Sequence, residues 1–258
     1  MGLFRLIKLA AGPIILVMVF TAYLNNWQGC SSNRNQVVYR VGLSADYPPF
    51  EFQQNGQLVG FDVDLAHLIA HELEAKVVFQ EMDFAGLIPS LQAGRIDMII
   101  SGVSRTPERE KNVDFSRPYY QNHLAAVTLQ KELLATQKLE GKRLGAQLGT
   151  VMYEFVQQVP KASVVALSQH HQLLQALKSG HIDVLICEKA QAHAFQQSDP
   201  KLYYWLVGKV GTGYSVALAK QTKSTLRDQV DQAITQLQRS GKLDALQQKW
   251  LHAPIGDF

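Results

Sequence analysis

The segment Ser101-Gly102-Val103-Ser104-Arg105-Thr106-Pro107-Glu108-Arg109 gathers the residue types that hold an anion. Two hydroxyls, a glycine that lets a ligand approach the backbone, the amides of a helix start and a guanidinium together suit a carboxylate. Thr106 is a natural N-cap, Pro107 fits the first helical position and Glu108 the first turn, so a helix is expected to begin here. The apolar run 96–100 just ahead reads as a buried strand. Taken alone, the same residues also describe an ordinary capped loop with a solvated arginine, and the choice depends on what stands opposite.

An internal repeat supplies a candidate for the opposite side. Leu91-Gln92-Ala93-Gly94-Arg95-Ile96-Asp97-Met98-Ile99-Ile100 and Leu177-Lys178-Ser179-Gly180-His181-Ile182-Asp183-Val184-Leu185-Ile186 share Leu, Gly, Ile, Asp and a closing Ile at identical offsets. Two copies of one helix-Gly-strand unit at this spacing suggest two similar α/β lobes, although the unit also recurs as a common connection. Ligands of open α/β sheets lie beyond the carboxyl ends of strands. A cleft between two such lobes would set Ser101, Gly102, Ser104 and Arg109 on one side and Glu188 on the other. A cation facing an anion is the complement of a zwitterion such as an α-amino acid. By spacing alone, Glu188 could equally be an exposed strand-end carboxylate.

The elements that must position these residues follow from periodicity. Strands are expected over 37–43, 77–81, 96–100, 124–129, 139–148, 203–207 and 216–218, and helices over 61–73, 84–93, 152–158, 189–196, 224–240 and 245–251. Asn55-Gly56 marks a hairpin turn, and Pro48-Pro49 forbids a central strand through that aromatic loop. Strand-helix alternation implies parallel pairing. His67 and His71 have the spacing of metal ligands, but no third ligand is evident nearby and both read as solvent-face histidines. Trp250 reads as a core or docking residue.

Composition bounds the rest. A chain of 258 residues that is 47% hydrophobic and 18% charged is that of a folded globular protein rather than a disordered one. Setting aside Arg5 and Lys8 leaves 23 basic against 22 acidic residues, so nucleic-acid binding has no electrostatic support. Residues 1–29 read as a signal peptide, with a basic start and an apolar stretch too short and interrupted at Gly12-Pro13 for a permanent span. Gly29-Cys30-Ser31-Ser32 resembles the end of a lipobox, with Cys30 as the lipidated residue and 30–36 as a tether, although Trp27 and Gln28 depart from that pattern. Cys187 is the only other cysteine, so no disulfide framework is expected. Everything beyond the tether is expected to be soluble.

In order along the chain, Tyr47-Pro48-Pro49-Phe50-Glu51-Phe52, Gly60-Phe61-Asp62-Val63-Asp64-Leu65, Asp83-Phe84-Ala85-Gly86-Leu87-Ile88-Pro89, Ser104-Arg105-Thr106-Pro107-Glu108-Arg109 and Gly241-Lys242-Leu243 resemble the polar amino-acid-binding proteins of ABC importers (solute-binding protein family 3). The resemblance covers roughly residues 37–252. It implies a two-lobed type II periplasmic binding protein fold, each lobe a mixed, mainly parallel sheet flanked by helices, hinged at two crossings near 121–123 and 211–215. Lobe 1 would then comprise 37–122 plus 215–258, and lobe 2 residues 123–214.

Carried over by position, Tyr47 and Phe84 look like an aromatic pair that sandwiches the ligand side chain. Ser101, Gly102 and Ser104 look like the cradle for the ligand's α-ammonium and carboxylate, Arg109 like the carboxylate clamp, Gln147 and Thr150 like second-lobe polar contacts, and Glu188 like the acid that takes the α-ammonium. Core packing is the plainer reading of Tyr47 and Phe84. Ser44 stands where relatives for basic or amide side chains carry an acid, and Val151 where they often have Thr or Gly. Arginine-binding members with Glu, Gln and an uncharged residue at the positions of Glu188, Gln147 and Ser44 occur, and this resemblance favours arginine. The implied protein is a non-enzymatic, monomeric receptor for a free L-amino acid, without cofactor or metal. It would sit in the periplasm or cell envelope, lipid-anchored through Cys30, and serve a membrane-embedded ABC permease. A cyclohexadienyl dehydratase-like lyase on the same scaffold, with Glu188 or another cleft acid as proton donor, is the alternative.

Overall fold

The computed structural model describes residues 36–208, 212–220 and 225–251. The expected leader, Cys30 and the tether through residue 35 lie outside the described residues, as does Gly211 of the second crossing. In chain order the first lobe opens with β1 (Val38–Leu43) and a small antiparallel sheet of β2 (Asp46–Tyr47), β3 (Glu51–Gln54) and β4 (Gln57–Val59). It continues through α1 (Phe61–Glu72), β5 (Lys76–Glu81), α2 (Phe84–Gln92), β6 (Met98–Ile99), the single turn α3 (Pro107–Glu110) and β7 (Val113–Tyr120). The second lobe follows as β8 (Leu124–Thr128), α4 (Lys131–Thr136), β9 (Arg143–Gln147), α5 (Val151–Gln157), β10 (Ser163–Leu167), α6 (His170–Lys178), β11 (Val184–Glu188), α7 (Lys189–Ser198) and β12 (Tyr203–Gly208). The chain then returns to the first sheet as β13 (Tyr214–Ala219), α8 (Thr225–Arg239) and α9 (Lys242–Leu251).

The two large sheets have matching orders, β5-β1-β6-β13-β7 and β10-β9-β11-β8-β12. In each, three strands run parallel on one side, and antiparallel pairs complete the other. The repeat seen in the sequence is therefore structural, and it extends further than the sequence showed. Arg40 donates its amide and Nε to Asp97 Oδ2 at 2.7 and 3.1 Å and Nη2 to Oδ1 at 2.7 Å. Arg143 makes the same three bonds to Asp183 at 2.9, 3.1 and 2.6 Å. Two residues on from each arginine, a Cβ on Gly42 would lie 2.4 Å from Ile96 Cδ1, and one on Gly145 would lie 2.4 Å from Ile182 Cδ1. Only glycine lets the isoleucine close over the strand at both places. The aspartate carboxylate accepts an N–H that a strand carbonyl would otherwise take. That is why the expected strand over 96–100 begins only at Met98.

Amphipathic faces place the core. Helix α1 buries Phe61, Leu65 and Ile69 against Val41, Met98 and Val216 of the sheet. Each leucine- or isoleucine-sized side chain so buried contributes about 1.5–3 kcal/mol. Along β11 the residues alternate: Val184 and Ile186 pack with α5, Leu185 and Cys187 with α6, as a strand covered on both faces must. Trp250 docks α9 onto the first lobe through an edge contact with Phe52 and an Nε1 bond to Asp64 Oδ2 at 2.8 Å. Among the described residues no helix is long and apolar enough to cross a membrane.

Pairing of Gly42 with Ile99 and of Gly145 with Leu185 brings the loops after β1 and β6, and those after β9 and β11, side by side at the strand carboxyl ends. The chain passes from one sheet to the other between Tyr120 and Leu124, and returns between Gly208 and Tyr214.

Candidate functional site

The loop after β6 rests on two buried carboxyls. Ser101 Oγ donates to Glu51 Oε1 at 2.5 Å and accepts the Ser44 amide at 3.0 Å. The Gly102 amide donates to Asp62 Oδ2 at 2.6 Å, and Tyr119 Oη reaches the same oxygen at 3.0 Å. Glu51 and Asp62 have no exposed surface. Burial pushes both carboxyls up, Asp62 to about 7 and Glu51 well above its ordinary value, with the neighbouring Asp62 charge adding to the burial of Glu51. A pair so placed holds a proton near neutral pH. The hydroxyl of Ser101 and the amide of Gly102 thus hold the loop to the lobe. Gly102 sits at φ +54°, where a Cβ would come within 3.0 Å of Tyr47 Cε1 and 3.2 Å of Tyr214 Cε2, so these rings close directly over the loop.

Arg109 is placed by the helix start. Thr106 Oγ1 accepts the Arg109 amide at 3.3 Å, with Pro107 in the first turn as expected. Its side chain, 7% exposed, donates Nη1 to Ser104 O at 2.8 Å and Nη2 across the cleft to Gly149 O at 2.9 Å. The guanidinium carbon stands 5.6 Å from the centroid of the Phe84 ring. Burial lowers its pKa while Glu154 opposes that shift, and an arginine stays charged here. Among the described residues no carboxylate forms an ion pair with it. Ser104, which offers its carbonyl, accepts Asn122 Nδ2 at its own Oγ at 3.2 Å.

Tyr47 lies at the centre of an aromatic group. Its ring stacks on Phe50 at 5.1 Å and on His170 of the second lobe at 4.5 Å, and its hydroxyl meets that of Tyr214 at 2.9 Å. Phe84 is half-buried beside Arg109. His170, the first residue of α6, is 3% exposed, and neither ring nitrogen has a hydrogen-bond partner. Burial, with His171 nearby, pulls its pKa down to about 3, so the ring is neutral. Its backbone amide donates to Asp46 Oδ2 at 2.5 Å, so a first-lobe carboxylate caps a second-lobe helix.

In the second lobe Gln147 Nε2 donates to Ser168 O at 2.9 Å, and Thr150 Oγ1 donates to Gln147 O at 2.7 Å while accepting the Tyr153 amide as N-cap of α5. Glu188 is wholly buried. It accepts Tyr120 Oη at 3.0 Å, the His123 amide at 3.2 Å and the Ala190 amide, which makes it the N-cap of α7. Burial outweighs these three bonds, which favour the charged form, and pushes its carboxyl up to about 7.

The structure thus gathers Tyr47, Gly102, Ser104 and Arg109 in one buried cluster, joined to the second lobe through Gly149 and His170, while Ser101, Gln147 and Thr150 direct their side-chain bonds into their own lobes. Sequence reasoning did not single out Asp46, Glu51, Asp62, Tyr120, His170 or Tyr214. Glu51 and Asp62 carried a readable signal, since each is an acid inside an apolar segment, Phe50-Glu51-Phe52 and Phe61-Asp62-Val63.

A two-lobed α/β protein with a buried cation and polar groups at apposed strand ends is of the class that encloses small anionic or zwitterionic ligands. The comparisons make this specific. Residues 39–253 match the bacterial extracellular solute-binding proteins, family 3, and the chain belongs to that family. It is 32% identical to ABC transporter arginine-binding protein 1 of Escherichia coli, over 81% of this chain and 88% of that protein. It is 33% identical to a probable histidine-binding protein of Campylobacter jejuni, over 82% and 84%. The crystal structure of an amino acid ABC transporter substrate-binding protein of Streptococcus pneumoniae bound to L-arginine superposes with a TM-score of 0.79 at 35% identity, covering 85% of this chain and 97% of that one.

Proposed function

We propose that this protein captures a free L-amino acid, arginine before others, between its lobes and delivers it to a membrane-embedded ABC permease. The observation that carries the reading is Arg109, a desolvated cation at the junction of the lobes whose bonds go to carbonyl oxygens rather than to a carboxylate. A buried charge needs a partner of opposite sign, and an α-carboxylate supplies one with the geometry of a guanidinium fork. The Glu188 carboxylate, held in place by Tyr120, His123 and Ala190, supplies the negative charge that an α-ammonium requires. Tyr47 and Phe84 then judge the side chain, with Ser101, Gly102, Ser104, Gln147 and Thr150 shaping the walls. Asp46 offers a basic side chain the negative charge that Ser44 lacks. Relatives named for arginine and histidine support a basic ligand.

The receptor works outside the cytoplasm as a monomer, its leader cleaved and Cys30 lipidated. A raised carboxyl such as Glu188 also suits a general acid, which is the one feature favouring a dehydratase-like reading. A thermal-shift screen of the twenty amino acids with ornithine and citrulline separates the two: a stabilising shift led by arginine is expected. No shift with any of them, together with turnover of prephenate or arogenate, would establish the lyase instead.

A further inference from the structure

The Tyr47 ring, 6% exposed, is stacked by two rings of the protein. Phe50, with no exposed surface, stacks at 5.1 Å and 23°, and His170 stacks at 4.5 Å and 17°. A ring so enclosed leaves no room for a third, so an amino-acid side chain that stacks on Tyr47 must displace one of them. Phe50 is locked by edge contacts with Phe61, Tyr120 and Tyr214. We propose that the His170 imidazole is a displaceable occupant of the Tyr47 face that receives the ligand side chain, and that it thereby sets affinity and side-chain preference. This rests on the amino-acid-binding reading given above.

Two features make His170 the ring that yields. Its nitrogens are buried without partners, and buried polar atoms without hydrogen bonds weaken the arrangement that holds them. Its backbone is fixed independently, since the amide is held by Asp46 Oδ2 at the start of α6. The ring can therefore change rotamer while the contact between lobes persists. A ligand that covers the ring face of Tyr47 as well as imidazole does, and satisfies its own polar atoms, replaces a poorly satisfied occupant by a well satisfied one. Small side chains cannot cover the ring, so the device disfavours them.

Two variants move the occupant in opposite directions. His170→Ala removes it, and His170→Phe keeps a stacked ring of similar size without the bare nitrogens. Calorimetric titration of the full chain with L-arginine and L-glutamine is expected to show binding to His170→Ala at least about fivefold tighter than wild type and to His170→Phe about tenfold weaker. Weaker binding in both variants would mean that imidazole bonds to the ligand directly, and unchanged affinity in both would make it a bystander; either result overturns the proposal. If His170→Ala does not fold, wild-type affinity in His170→Phe overturns it alone. Binding by the wild type with insensitivity at residue 170 leaves the amino-acid reading standing, whereas no binding of any of the twenty amino acids by any of the three proteins removes both.

Discussion

Replacing Arg109 by alanine separates the contribution of this residue to recognition from its contribution to the fold. In the protein, Arg109 donates to Ser104 O and Gly149 O at 2.8 and 2.9 Å while 7% exposed. Two hydrogen bonds from a charged donor contribute about 1.5–3 kcal/mol each. Against them stands the cost of burying a guanidinium, several kcal/mol after relaxation. These terms nearly cancel, so Arg109→Ala is expected to shift the melting temperature by no more than about 5 °C, where about 1 kcal/mol corresponds to 2–4 °C for a domain of this size. Binding has no such cancellation. Truncating one partner of a desolvated, hydrogen-bonded charge pair costs about 2–5 kcal/mol, or about 30- to 4,000-fold in Kd. Calorimetric titration with L-arginine on wild type and variant reads this directly. An affinity within threefold of wild type in a variant that melts normally would refute the role of Arg109 as the carboxylate clamp.

Three further outcomes follow from the same contacts. Gly102→Ala places a Cβ about 3.0 Å from Tyr47 in a left-handed backbone and is expected to destabilise by about 1–3 kcal/mol, a fall of several degrees in a thermal melt; an unchanged melt would contradict the close packing of Tyr47 and Tyr214 over the loop. Asp46→Ala removes the cap of α6 across the cleft, so the melting temperature should drop by the equivalent of about 0.5–2 kcal/mol and amino-acid affinity should fall with it as the closed form loses a contact. Glu188 has a folded pKa of about 7 against an ordinary value of about 4.5, so the stability it contributes is present below pH 4.5 and is lost as pH rises toward 7. Melting curves of Glu188→Gln across that window should lack about 3 kcal/mol of decline shown by wild type; parallel curves would show that Glu188 ionises normally.

Much of the fold was readable because it is written in local chemistry. The helix-Gly-strand repeat, the Asn55-Gly56 turn and the cap at Thr106 each follow from a few adjacent residues, and the structure bears them out. The Arg40–Asp97 and Arg143–Asp183 clamps were within reach, since Arg-Val-Gly and Arg-Leu-Gly precede the two repeats. What stayed hidden was the direction of side chains. A serine in an anion-binding pattern shows a donor but not its acceptor, and Ser101 turns out to serve Glu51. The stacking of His170 on Tyr47 depends on how far two lobes close on each other, a quantity that no local pattern encodes.

The contacts between lobes fall into two sets, and their positions assign them different tasks. Tyr120 and His123, which hold Glu188, flank the first crossing of the chain, where β7 gives way to β8. A rotation about the crossings would displace groups in proportion to their distance from the axis, so these bonds are the ones it would change least. Arg109–Gly149, Asp46–His170 and Tyr47–His170 join α3, β2, the loop after β9 and the start of α6, away from the crossing itself, and these are the contacts that an opening motion would break. Two of the three involve His170, and the third uses the cation expected to bind the carboxylate. Closure and recognition therefore draw on the same groups. A ligand that takes Arg109 and the Tyr47 face competes with the contacts that close the cleft, so only one that replaces them with stronger contacts of its own can stabilise the closed form.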